Sequence, residues 1–117
     1  MSSAELLDTL SIDIGELINM TALEASWARR NRGEAHAFGL DLYTARGQKI
    51  FDDARARYRM DPEFRQTADR YVEEFDRLLV EVRKSDRDGA MARNYLTSDT
   101  GKVYTILAHA SGRLDRP

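Results

Sequence analysis

Two histidines, two acid-bearing turns and fifteen arginines are the residues of this 117-residue chain whose chemistry could matter most. His36 has Arg32, Gly33, Gly39 and Leu40 three and four residues away, and His109 has Thr105, Ile106, Gly112 and Arg113. Neither has a second ligand one helical turn off, so a metal would need the fold to bring the two together. The bland reading is a surface or partly buried histidine with a local hydrogen bond. The turn Ser85-Asp86-Arg87-Asp88-Gly89 suggests a calcium loop. Placing Gly89 at the loop's sixth position puts Lys84 at the first and Tyr95 at the twelfth, where calcium requires carboxylates. A capped turn between helices fits better. Ser98-Asp99-Thr100-Gly101-Lys102 resembles the end of a phosphate loop but lacks the preceding glycine spacing and strand. Ordinary helix capping accounts for it. No serine-hydrolase elbow or zinc-protease motif occurs. The sequence thus presents no catalytic residue, no cofactor site and no metal ligand set.

Arginine outnumbers lysine fifteen to three. Arg29, Arg30 and Arg32 form one cluster, and Arg55, Arg57 and Arg59 another around Tyr58. Either could track phosphates, but Asp52 and Asp53 lie one turn before the second, which favours a solvated, salt-bridged face. The overall balance is 18 basic against 20 acidic residues, a formal charge of −2, unlike that of a generic nucleic-acid binder. Zero cysteines exclude a disulfide scaffold, a thiolate zinc site and a cysteine nucleophile. No apolar run approaches a membrane span, and the first residues lack the layout of a signal peptide, so a cytoplasmic location is expected.

Trp27 and Tyr43 fit the apolar stripes less well than the other aromatic residues. With Arg29 and Arg30 they are read as a partner-binding surface, since Trp, Tyr and Arg dominate interface hot spots.

The elements that must position these residues are helical. Apolar residues recur at a period near 3.6 throughout, and valine occurs only four times. The first helix is expected over 3–20, with Leu6, Leu7, Leu10, Ile14, Leu17 and Ile18 on one stripe. Thr21 and Glu24 read as a capping box for a second helix that passes Trp27 and stops near Gly33. A third helical stretch covers 34–59, with a bend or break near 44–47. Asp61-Pro62-Glu63 is the clearest boundary: an N-cap, a proline at the first helical position and an acid in the first turn. The helix it opens carries Phe64, Ala68, Tyr71, Val72, Phe75, Leu78, Leu79 and Val82 and is expected at the centre of the core. Arg70–Glu74 and Glu73–Arg77 are expected to pair on its outer face. A short helix with Met91, Tyr95 and Leu96 follows a break at 84–89. Capped near Ser98, the last helix places Val103, Ile106, Leu107, Ala110 and Leu114 inward. The expectation is one all-α domain over 1–117, five or six helices around a single core.

Three stretches, 42–48, 61–75 and 95–104 with 107–114, resemble the C-terminal region of very large coiled-coil-rich alphaproteobacterial proteins. Those proteins are often described as apolipoprotein- or kinesin-like, and some are associated with the growing cell pole. The resemblance covers nearly the whole chain and carries no chemistry. It implies that the chain is the terminal domain of a larger protein and that its role is scaffolding in envelope or polar organisation. The expected function is therefore non-enzymatic: a module that captures a protein partner or self-associates, with nucleic acid an unfavoured partner. The rival reading is a small helical nucleic-acid-binding regulator that uses the arginine clusters.

Overall fold

The computed structural model describes residues 3–115. Seven α-helices and two short 3₁₀ turns make up the order: α1 (Ser3–Ile12), α2 (Ile14–Leu17), α3 (Met20–Asn31), a 3₁₀ turn (Leu40–Leu42), α4 (Ala45–Met60), α5 (Pro62–Arg83), α6 (Ala90–Thr97), α7 (Asp99–Ala110) and a final 3₁₀ turn (Arg113–Asp115). The all-α expectation holds. The radius of gyration is 13.6 Å, against about 13.4 Å for a close-packed chain of this length.

The centre of the core is α7, and this corrects the expectation for α5. Every residue from Val103 to Ala110 is buried, and α7 packs against α1, α2, α4, α5 and α6. Burying it on all sides needs small or apolar residues around the whole circumference, which Gly101, Thr105, Ala108 and Ala110 supply. α5 instead lies at the surface. It buries Phe64, Ala68, Val72, Phe75, Leu79 and Val82 and turns Leu78 and Val80 outward. Its start is as expected: the Asp61 carboxylate accepts the amides of Glu63 and Phe64 at 3.0 and 3.2 Å. The expected pairs on its outer face do not form, and Glu73 instead lies 4.0 Å from Arg113.

Tertiary pairing breaks the helix expected over 3–20. Ile18 is extended and forms an antiparallel bridge with Tyr43. The Asn19 amide donates to the Leu42 carbonyl at 2.9 Å, and the Thr44 amide to that of Leu17 at 3.0 Å. A helix through Ile18 could not make these bonds. The break moves the next cap as well: Asn19, not Thr21, opens α3, its side chain accepting the Ala22 amide at 3.0 Å. The stretch 34–59 is helical only from Ala45, where Thr44 caps α4 by accepting the Gly47 amide at 3.0 Å. Residues 34–39 form a loop in which His36 has a φ of +54°.

Gly47 is where α4 crosses α2. A Cβ there would overlap the Leu17 carbonyl oxygen, and one on Gly101 would overlap the carbonyl oxygen of Tyr95. These contacts let α2 reach α4 and fold α6 back sharply onto α7.

Candidate functional site

An open cleft of about 1060 Å³ lies between α3 and α6, similar in size to the upper limit of the ~300–1,000 Å³ common for binding sites. α3 contributes Glu24, Trp27 and Arg30 to its walls, the last turn of α5 adds Arg83, and α6 adds Ala92, Arg93 and Leu96. The turn that failed as a calcium loop closes one end with Asp86, Asp88 and Gly89.

Local sequence explains how that end is built. Gly89 adopts φ +78° at the cap of α6 and has no side chain to satisfy the first amides. Asp86 and Asp88 do so instead. Asp86 accepts the Met91 amide at 3.3 Å and the Ala92 amide at 2.9 Å, and Asp88 accepts the Ala90 amide at 3.0 Å. The carboxylates that imitate a metal loop are helix caps. Among the described residues no group of three or more His, Cys, Asp or Glu side chains could hold a metal ion.

The floor is Trp27, Ala92 and Leu96, all buried. Trp27 is held from several sides. Its ring meets Phe38 edge-on at 4.9 Å and stacks on Tyr104 at 6.2 Å, and Tyr104 stacks in turn on Phe75 at 4.4 Å. Its indole nitrogen donates to the Thr105 hydroxyl at 3.4 Å. On the far side of its contact with Trp27, the Tyr104 side chain bonds α5, its hydroxyl donating to the Asp76 carboxylate at 2.6 Å. Burial raises the Tyr104 pKa well above the ordinary phenol value, the Asp76 bond and charge add to this, and Arg30 and Arg83 partly oppose it.

The four residues expected to form a partner surface separate in space. Trp27 and Tyr43 are each only 7 % exposed, so the exposed aromatic pair does not exist. Tyr43 lies in the same core, with its hydroxyl 2.7 Å from Nδ1 of His109 and its ring stacked on Phe51 at 4.8 Å. His109, expected at or near the surface with a local hydrogen bond, is buried and has this partner 66 positions away. Arg29 faces the 34–39 loop, donating to the Ala37 carbonyl at 2.8 Å and the Ser26 hydroxyl at 3.1 Å. Only Trp27 and Arg30 meet at the cleft.

In each arginine cluster one member pairs with a nearby acid. Arg32 pairs with Glu34 at 2.8 Å, and Arg57 with Asp53 at 3.3 Å. The cleft residues that the sequence did not reveal are Arg83 and Arg93. They lie ten positions apart on two helices, and only the break at 84–89 hinted that those helices fold back on each other. No helix of the described residues is long and apolar enough to cross a membrane. No family model, curated protein or solved structure matches the chain.

Proposed function

We propose that this domain is a non-enzymatic protein-interaction module, acting in the cytoplasm, that holds a segment of a partner in the α3–α6 cleft. The observation that carries the reading is the cleft's composition: buried Trp27, Ala92 and Leu96 under a rim of three arginines and three carboxylates. Tryptophan and arginine are the residue types that anchor protein interfaces, and a buried floor with a charged rim is the layout of such sites. The rival nucleic-acid reading would draw on Arg55 and Arg59, since Arg29, Arg32 and Arg57 are each engaged within the fold. The resemblance to the ends of large coiled-coil proteins agrees with a docking or scaffolding role in a bigger assembly.

A photo-crosslinking residue placed at Ala28 or Thr97, on opposite walls, tests this in cells of the source organism. The same polypeptide should be captured from both positions and not from Asp52 on α4. Equal capture from all three positions, or none from the cleft, would refute the reading.

A further inference from the structure

Three arginines and three carboxylates line the cleft, yet they are not equivalent. Asp86 and Asp88 bond the first amides of α6, so their negative charge faces a helix N-terminus. Arg83 and Arg93 make no ion pair and no side-chain hydrogen bond among the described residues, although both acids line the same cleft. Asp86 and Asp88 are thus engaged by the backbone, Glu24 on α3 is an exposed carboxylate on the opposite wall, and Arg83 and Arg93 line the same cleft as Trp27, Ala92 and Leu96 with no carboxylate bonded to them among the described residues. A guanidinium presents a planar fork of donors that matches a carboxylate with two parallel bonds. The size is also informative. α6 has eight residues and is about 12 Å long, which is the reach of roughly four residues of extended chain.

Resting on the reading that the cleft is a docking site, we infer that its occupant is a short acidic segment of a partner protein. Two of its Asp or Glu carboxylates pair with Arg83 and Arg93, and one apolar side chain sits on the Trp27–Leu96 floor. Arg30 faces the same space from α3.

Trp27 is the chain's single tryptophan, so its fluorescence reports occupancy of the cleft without a label. A random peptide library displayed on phage is selected on the whole chain. The recovered peptides are then titrated against Trp27 emission. The expected result is enrichment of Asp and Glu around one apolar residue. Changing each of the two acids to its amide should weaken binding about tenfold. The double variant Arg83→Glu with Arg93→Glu should lose the peptides while keeping its melting curve, since both side chains are exposed. Peptides that perturb Trp27 but lack acids, or that bind the double variant equally well, overturn the acidic occupant and leave the docking cleft standing. A selection that yields no peptide able to perturb Trp27 overturns the docking cleft itself. Salt-sensitive binding of a single-stranded DNA oligonucleotide that is lost in the double variant reassigns the arginines to phosphate.

Discussion

The Tyr43 hydroxyl lies 2.7 Å from Nδ1 of His109, joining residues 66 positions apart inside a cage of Phe38, Phe51 and Tyr43 rings. Phe51 stacks on the imidazole at 4.5 Å. The contact ties the bridge strand at Ile18–Tyr43 to the last turn of the central helix. Replacing Tyr43 by Phe keeps the rings and takes a partner from a buried polar nitrogen. That should cost about 1–3 kcal/mol, read by urea unfolding. Tyr43→Ala also opens a cavity and should cost roughly 3–5 kcal/mol. A Tyr43→Phe variant as stable as the parent would show that the bond contributes nothing net.

Glycine-to-alanine substitutions should divide by sign. Gly15 has open space around its Cβ position, so Gly15→Ala should stabilise by about 0.5–1 kcal/mol through the ordinary helical preference. Gly47→Ala and Gly101→Ala push a methyl into main-chain carbonyls that cannot rotate away. Each should destabilise by about 3 kcal/mol. Thermal melts of the three variants side by side check this, and a stabilised Gly47→Ala would refute the close crossing of α2 and α4.

Alkaline pH should weaken the fold through Tyr104. Below its ordinary value of 10.0 the phenol is protonated both folded and unfolded, and stability is complete. Above it the unfolded phenol ionises, while burial first and the Asp76 bond second hold the proton on the folded one. The unfolded state then binds fewer protons, so stability falls as pH rises toward the folded value. Tyr58 and Tyr71, also raised chiefly by burial, act in the same direction. Denaturant titrations above pH 10 should show a steep loss in the parent and a shallower one in Tyr104→Phe. Equal slopes would place Tyr104 in contact with water.

Arg29 should behave as a structural arginine and not as a binding residue. Its guanidinium reaches the Ala37 carbonyl through two nitrogens, at 2.8 and 3.3 Å, and so pins the loop after α3. Arg29→Ala should cost about 1.5–3 kcal/mol. Arg29→Lys should recover little, because an ammonium cannot reproduce the fork. Hydrogen exchange at 34–39 should accelerate in both variants.

What the sequence disclosed followed from local rules. Asp61-Pro62 announced α5 because cap, proline and first-turn acid act within four residues. The place of α7 was hidden for the converse reason. Amphipathic contrast marks a helix with a wet side, and so the sharpest stripe, on α5, belonged to a surface helix. A helix buried all round has no stripe, and Thr105 and His109 diluted its apolar signal further. The break at Ile18 came from a partner 25 positions away, beyond any local rule. Trp27 and Tyr43 looked unplaced because the stripes they complete belong to other elements: Trp27 meets Thr105 and Tyr43 meets His109, both on α7. Of the candidate site, Trp27 and Arg30 were legible through residue type alone. The unpaired state of Arg83 and Arg93 depends on where Asp86 and Asp88 turn, which only the fold decides.

The helix at the centre of this core follows α1 to α6 in the chain. On a ribosome, synthesis at roughly 5–20 residues per second exposes α1 to α6 before α7 has left the exit tunnel. In the complete fold Leu10, Leu17, Phe51 and Phe75 share one core with the buried residues of α7. The nascent chain can form its helices in turn but can close only once, when residues 99–110 thread in among them. A stop codon or a protease cut before Asp99 therefore leaves sticky amphipathic helices and no smaller stable domain. Chaperone engagement should be strongest on ribosomes stalled just short of that point.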